Sequence, residues 1–148
     1  MTKLLVIGYG NSLRGDDAVG RRLAEAVEAW QAPNITVISL HQLVPELVEN
    51  LQRATHVIFV DAVVCEGEVQ LRRIAAAPEN LPLNHYCGPG RLLALAAKLY
   101  RRCPSGWLLT IPGTDFDLSE DISPAAQVNV TTAVALVEEF YKATTEHS

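Results

Sequence analysis

Missing from this chain is any run of the roughly 20 consecutive apolar residues that a membrane-spanning helix needs. Its opening Met-Thr-Lys leads straight into a strand-length apolar run, without the layout of a signal peptide. Basic residues are the minority, 12 Lys and Arg against 17 Asp and Glu. The resulting net charge of −5 leaves no electrostatic footprint for nucleic acid or an anionic membrane. Arg21-Arg22, Arg72-Arg73 and Arg101-Arg102 are isolated pairs and read as solvated surface. Cysteine is scarce: Cys65, Cys87 and Cys103 are an odd number without a Cys-x-x-Cys. That fits a reducing compartment better than a disulfide framework. No repeat, low-complexity tract or composition break divides the chain. The expectation is a cytoplasmic protein of one domain over 1–148, with neither nucleic acid nor membrane as partner.

What is present is an ordinary globular composition, 49% hydrophobic and 20% charged. A length of 148 residues allows about two thirds of the unfolded surface to be buried. Leu4 to Ile7 forms a short apolar run, and Val19, Leu23, Val27 and Trp30 then recur at helical spacing. Ile35 to Leu40 is a second strand candidate, followed by a helix over about 43–53 with Pro45 near its first turn. The continuous apolar run Val57 to Val60, ending in Asp61, has the mark of a strand buried on both faces. Glu68 to Ile74 alternates with charge and reads as an edge strand, antiparallel in the sheet. A proline- and asparagine-rich loop over 78–90 precedes a helix over 91–102. Trp107 to Ile111 makes a last strand, and Ser123-Pro124 opens a final helix whose apolar face runs from Ala126 to Tyr141. This alternation predicts an α/β three-layer sandwich: a mostly parallel central sheet with helices on both faces.

The stretch Leu4 to Gly20 is strand, glycine-rich loop, helix. In a phosphate-binding loop Gly-x4-Gly is followed by Lys and Ser or Thr, but Gly10-x4-Gly15 is followed by Asp16 and Asp17. Leu13 stands where a dinucleotide fingerprint needs its third glycine. The loop should repel phosphate and attract a cation. In a parallel sheet the functional cleft lies beyond the carboxyl ends of the strands. Asp17, His41 and Asp61 follow the first three strands, so they should share that edge, with His85 able to join from its loop. Two carboxylates and an imidazole suit a borderline divalent metal such as Ni²⁺ or Zn²⁺.

Each residue also has a plainer reading. Asp16 or Asp17 can cap the following helix and complement its dipole. Asp61 can bond local backbone, and His41 or His85 alone can be surface histidines. Cys87 lies too near His85 in the chain for a nucleophile–base pair that meets through the fold. Asp115 and Asp117 read as turn residues. No Gly-x-Ser-x-Gly elbow is present to support a serine hydrolase.

Three blocks together resemble the [NiFe]-hydrogenase maturation endopeptidases. IGYGNSLRGDDAVG is similar to the family's opening, HQLVPELVENL with VIFVDAV to its second block, and NHYCGPGRLLALA to its third. The resemblance implies an α/β fold and an enzyme that clips a C-terminal extension from the hydrogenase large-subunit precursor after nickel insertion. By motif, the family's metal-binding and catalytic residues map onto Asp17, Asp61 and His85. The nickel would be that of the substrate, with other divalent metals able to occupy the site in isolation. The chain departs from the family pattern at Ala18, at Asn84 and in the spacing of 112–121. A monomer is expected for an enzyme that must embrace one large subunit. A non-catalytic metal-binding assembly factor using the same residues is the alternative, and a nucleotide-binding module or a Cys87 peptidase explains fewer of the blocks.

Overall fold

The computed structural model describes residues 2–65, 67–77 and 88–146. Among the described residues, five strands form one sheet: β1 (Leu4–Tyr9), β2 (Ile35–Leu40), β3 (His56–Val64), β4 (Gln70–Ile74) and β5 (Ser105–Gly113). Their order across the sheet is β2-β1-β3-β5-β4. The first four in that order are parallel, and β4 runs antiparallel along β5 at the edge. The helices α1 (Val19–Glu28), α2 (Val48–Leu51), α3 (Pro89–Tyr100) and α4 (Pro124–Glu146) cover it. The three-layer α/β sandwich expected from the alternation is what the chain forms.

Strand periodicity builds both cores. Successive side chains point to opposite faces, so Leu4 and Val6 of β1 pack with Ile58 and Val60 of β3 under α1 and α4. Their neighbours Leu5 and Ile7 pack with Val57 and Phe59 under α2 and α3. Strands buried on both sides cannot alternate with polar residues, which is why β1 and the first half of β3 are continuously apolar. The helices answer with 3.6-residue stripes, Val19, Leu23 and Val27 on α1 and Ala126, Ala133 and Val137 on α4.

Several boundaries differ from the sequence reading: β1 and β5 run longer than expected and β4 starts later, at Gln70. The helix expected over about 43–53 is only Val48–Leu51, preceded by a 3-10 turn at Pro45–Leu47. The helix expected at 91–102 begins two residues earlier, with Pro89 in its first turn, where a missing N–H costs nothing. Asp61 does not end its strand: β3 continues to Val64 because β5 pairs with it as far as Gly113.

Chain order places the cleft. From β1 the chain passes through α1 to β2 on one side, then returns through α2 to β3 on the other. The two crossovers lie on opposite faces and leave β1 between them. The carboxyl end of β1 is therefore the topological switch point, where such sheets open a crevice. No helix among the described residues is long and apolar enough to cross a membrane.

Candidate functional site

The site is built around the exit of β1. There the chain must leave the strand and enter α1 with little space, and glycine makes this possible. A Cβ at Gly8 would lie 2.1 Å from the carbonyl oxygen of Gly20, and one at Gly20 would lie 2.7 Å from that of Val60. Backbone thus touches backbone at the root of α1. Gly10 follows with φ +149, and a Cβ there would collide with the carbonyl oxygen of Asp17. Asn11 then turns the chain by accepting the Leu13 N–H at 2.9 Å, an Asx turn.

Asp17 sits half-buried in a single 3-10 turn, Gly15–Ala18. Its Oδ2 accepts the backbone N–H of Asn11 at 2.7 Å, which fixes the carboxylate across the loop. Asp61 lies opposite. The pairing of β1 with β3 stops at Gly8 and Val60, so Asp61 is the first β3 residue past that paired stretch. Burial raises its proton affinity most, and the neighbouring charge of Asp17 adds to the effect. The Tyr9 side chain and the Ala62 N–H bond to the carboxylate and offset part of the shift. Two of the three residues singled out in the sequence, Asp17 and Asp61, are therefore brought together.

His85, the third, lies outside the described residues, as does Cys87. His41 stands in an exposed bend directly after β2, where Leu40 accepts the Gly10 N–H at 3.2 Å. It shares the edge with Asp17. Cys65 and Cys103 are free and exposed. Among the described residues no three His, Cys, Asp or Glu side chains gather closely enough to hold a metal ion. The Asp17–Asp61 pair still has the chemistry a cation seeks: two oxygen donors, one of them partly buried beside a like charge.

Asp16 behaves differently from either sequence reading. It caps no helix, since neither the 3-10 turn nor α1 has a side-chain cap. Instead it is fully buried, at 0% exposure. Oδ2 accepts the N–H groups of Thr114 at 2.9 Å and Asp115 at 3.0 Å and the Ser123 hydroxyl at 2.8 Å. Oδ1 accepts the Ser123 N–H at 2.7 Å. Burial raises its proton affinity, but the bonds from Asp115, Ser123 and Thr114 together outweigh it and hold the carboxyl below the ordinary aspartate value. A carboxylate so saturated is no general base. Sequence reasoning had no signal for this, nor for Tyr9, because the partners are distant backbone groups and a strand-end aromatic.

Fold and site define a doubly wound α/β protein with an acidic cleft at its switch point. No family profile and no curated protein matches the chain. Solved structures do. The hydrogenase maturating endopeptidase HybD from E. coli superposes with a TM-score of 0.72 at 20% identity, covering 97% of this chain and 94% of its own. The [NiFe] hydrogenase maturation protease HycI from Thermococcus kodakarensis KOD1 gives 0.74 at 19% identity, covering 95% and 93%. A hydrogenase 2 maturation peptidase from the Thaumarchaeota archaeon SCGC_AB-539-E09 gives 0.68 at 23% identity, covering 95% and 98%. The chain has the fold of these structures along nearly its whole length, so the likeness read from three sequence blocks recurs in three dimensions.

Proposed function

We propose that this chain is an endopeptidase that removes the C-terminal extension of the nickel-loaded [NiFe]-hydrogenase large-subunit precursor. The observation that carries this reading is the meeting of Asp17 and Asp61 at the switch point of a fold shared with maturation endopeptidases. In it, Asp17, Asp61 and His85 are the catalytic set and recognise the nickel already held by the substrate. Two carboxylates and an imidazole are donors a borderline divalent ion accepts. The nickel is thus part of the substrate, and tail removal follows completed metal insertion. Hydrolysis adds water across one peptide bond and releases the tail as a peptide. The enzyme works as a cytoplasmic monomer on one large subunit at a time.

The test mixes the purified protein with unprocessed large subunit, with and without bound nickel, and reads the product by C-terminal mass spectrometry. Loss of a short tail from the nickel-bound form alone is the expected result. Cleavage of both forms keeps the peptidase and removes the nickel checkpoint. A precursor that binds but is never cut points to the assembly-factor alternative.

A further inference from the structure

The buried carboxylate of Asp16 joins two parts of the chain that no regular element connects. Residues 13–16 belong to the loop after β1, and residues 113–123 link β5 to α4. Backbone bonds reinforce the joint: Asp16 N–H to Asp115 carbonyl at 2.7 Å, Gly15 N–H to Ser119 carbonyl at 2.9 Å, and Ser119 N–H to Leu13 carbonyl at 2.9 Å. The Arg22 guanidinium also donates to the Glu120 carbonyl at 3.0 Å. Gly113 lets the surfaces close, since a Cβ there would lie 2.6 Å from the Asp16 Cβ. All four bonds to the Asp16 oxygens come from donors. An amide in place of the carboxylate would turn an NH₂ toward at least one of them.

Asp17 is the next residue. It stands in the 3-10 turn Gly15–Ala18, which runs directly into α1. On one side its carbonyl packs on Gly10 and its carboxylate takes the Asn11 N–H. Its own N–H donates to the Arg14 carbonyl at 3.1 Å, Ala18 after it is buried, and Asp16 before it holds the turn to the segment leading to α4. We infer that Asp16 is a positioning residue: by clamping 113–123 to the loop, it fixes where the Asp17 carboxylate points. The consequence for tail removal rests on the peptidase reading, but the positioning itself does not.

Amide hydrogen exchange separates the two. The Asn11 N–H is bonded to Asp17 Oδ2, so its exchange rate reports whether that carboxylate is in place. In Asp16→Asn, Asn11 should exchange about tenfold faster or more, together with Thr114, Asp115 and Ser123. Release of the three downstream amides with Asn11 unchanged would reduce Asp16 to a fastener of 113–123 and overturn the inference. If Asp16→Asn does not fold, Ser123→Ala removes one of the four bonds. A smaller acceleration at Asn11 is then expected, and acceleration confined to Thr114 and Asp115 overturns the idea. On nickel-loaded precursor, kcat of the Asp16→Asn protein should fall about tenfold or more with KM within about twofold. Full activity in a variant with released Asn11 overturns the consequence for tail removal. A wild-type protein inert toward precursor sinks the peptidase reading and leaves the exchange result standing.

Discussion

Asp17 and Asp61 share the carboxyl edge of the sheet, and the charge of Asp17 makes Asp61 harder to ionise. Burial of Asp61 is the larger cause, and the bonds from Tyr9 and Ala62 do not cancel the two. The chain thus keeps a like-charge pair partly out of water at its switch point. Such an arrangement costs stability in the absence of a cation, a common mark of functional sites.

Removing that cost should stabilise the protein. A folded-state pKa raised above the unfolded value means that ionised Asp61 destabilises the fold at every pH above the folded pKa. The cost disappears once pH falls below the ordinary aspartate value of about 3.9. Asp61→Asn should therefore melt higher than wild type at pH 7, by about 2–4 °C, with the gap closing toward pH 4. Thermal scans across that range check this, and tail removal by the variant should be lost.

Asp16 carries the opposite sign. Its folded pKa lies below the unfolded value, so its stabilisation is present above about pH 4 and is lost as pH falls through the folded pKa. Asp16→Asn should cost about 2–3 kcal/mol at pH 7 in urea unfolding. Below pH 4 the difference from wild type should shrink. Two aspartates on facing elements then tilt the acid-stability curve in opposite directions.

Ser123 serves two ends at once. Its hydroxyl donates to Asp16 and accepts the Ala126 N–H at 3.2 Å in the first turn of α4. Ser123→Ala removes both bonds and should cost about 1–3 kcal/mol. Urea unfolding gives the number.

Gly20→Ala tests the root of α1. The added methyl would meet the carbonyl oxygens of Val60 at 2.7 Å and Tyr9 at 2.8 Å. Neither is a flexible side chain, so helix and sheet must part. A loss of about 2–4 kcal/mol is expected, with reduced tail removal because the loop carrying Asp17 moves with the helix.

How much of this could be read in advance depended on the kind of signal. Ile35–Leu40 is recognisable because its β-branched run lies between turn residues, and its limits in the structure are the same. That Asp17 and Asp61 lie at one edge of the sheet was legible, because doubly wound sheets present their strand ends to one cleft. The extent of β3 was not, since its apolar run stops at Val60 while hydrogen bonds to β5 carry it to Val64. The brevity of α2 was hidden as well, because its apolar spacing suits a 3-10 turn and an α-helical turn alike. Asp16 shows the limit most clearly. Its partners are mainly backbone N–H groups, which nearly every residue possesses, and nothing local marks Thr114, Asp115 or Ser123 as theirs.

Those partners lie 98 to 107 positions further along the chain. A ribosome making this protein releases Asp17 early, with its glycine loop and first helix, yet the clamp behind it cannot close until Ser123 has emerged. The first two strands can pair well before that moment. The joint is therefore completed late in synthesis, and a nascent chain stalled before residue 114 has the acidic loop without the four bonds that hold Asp16.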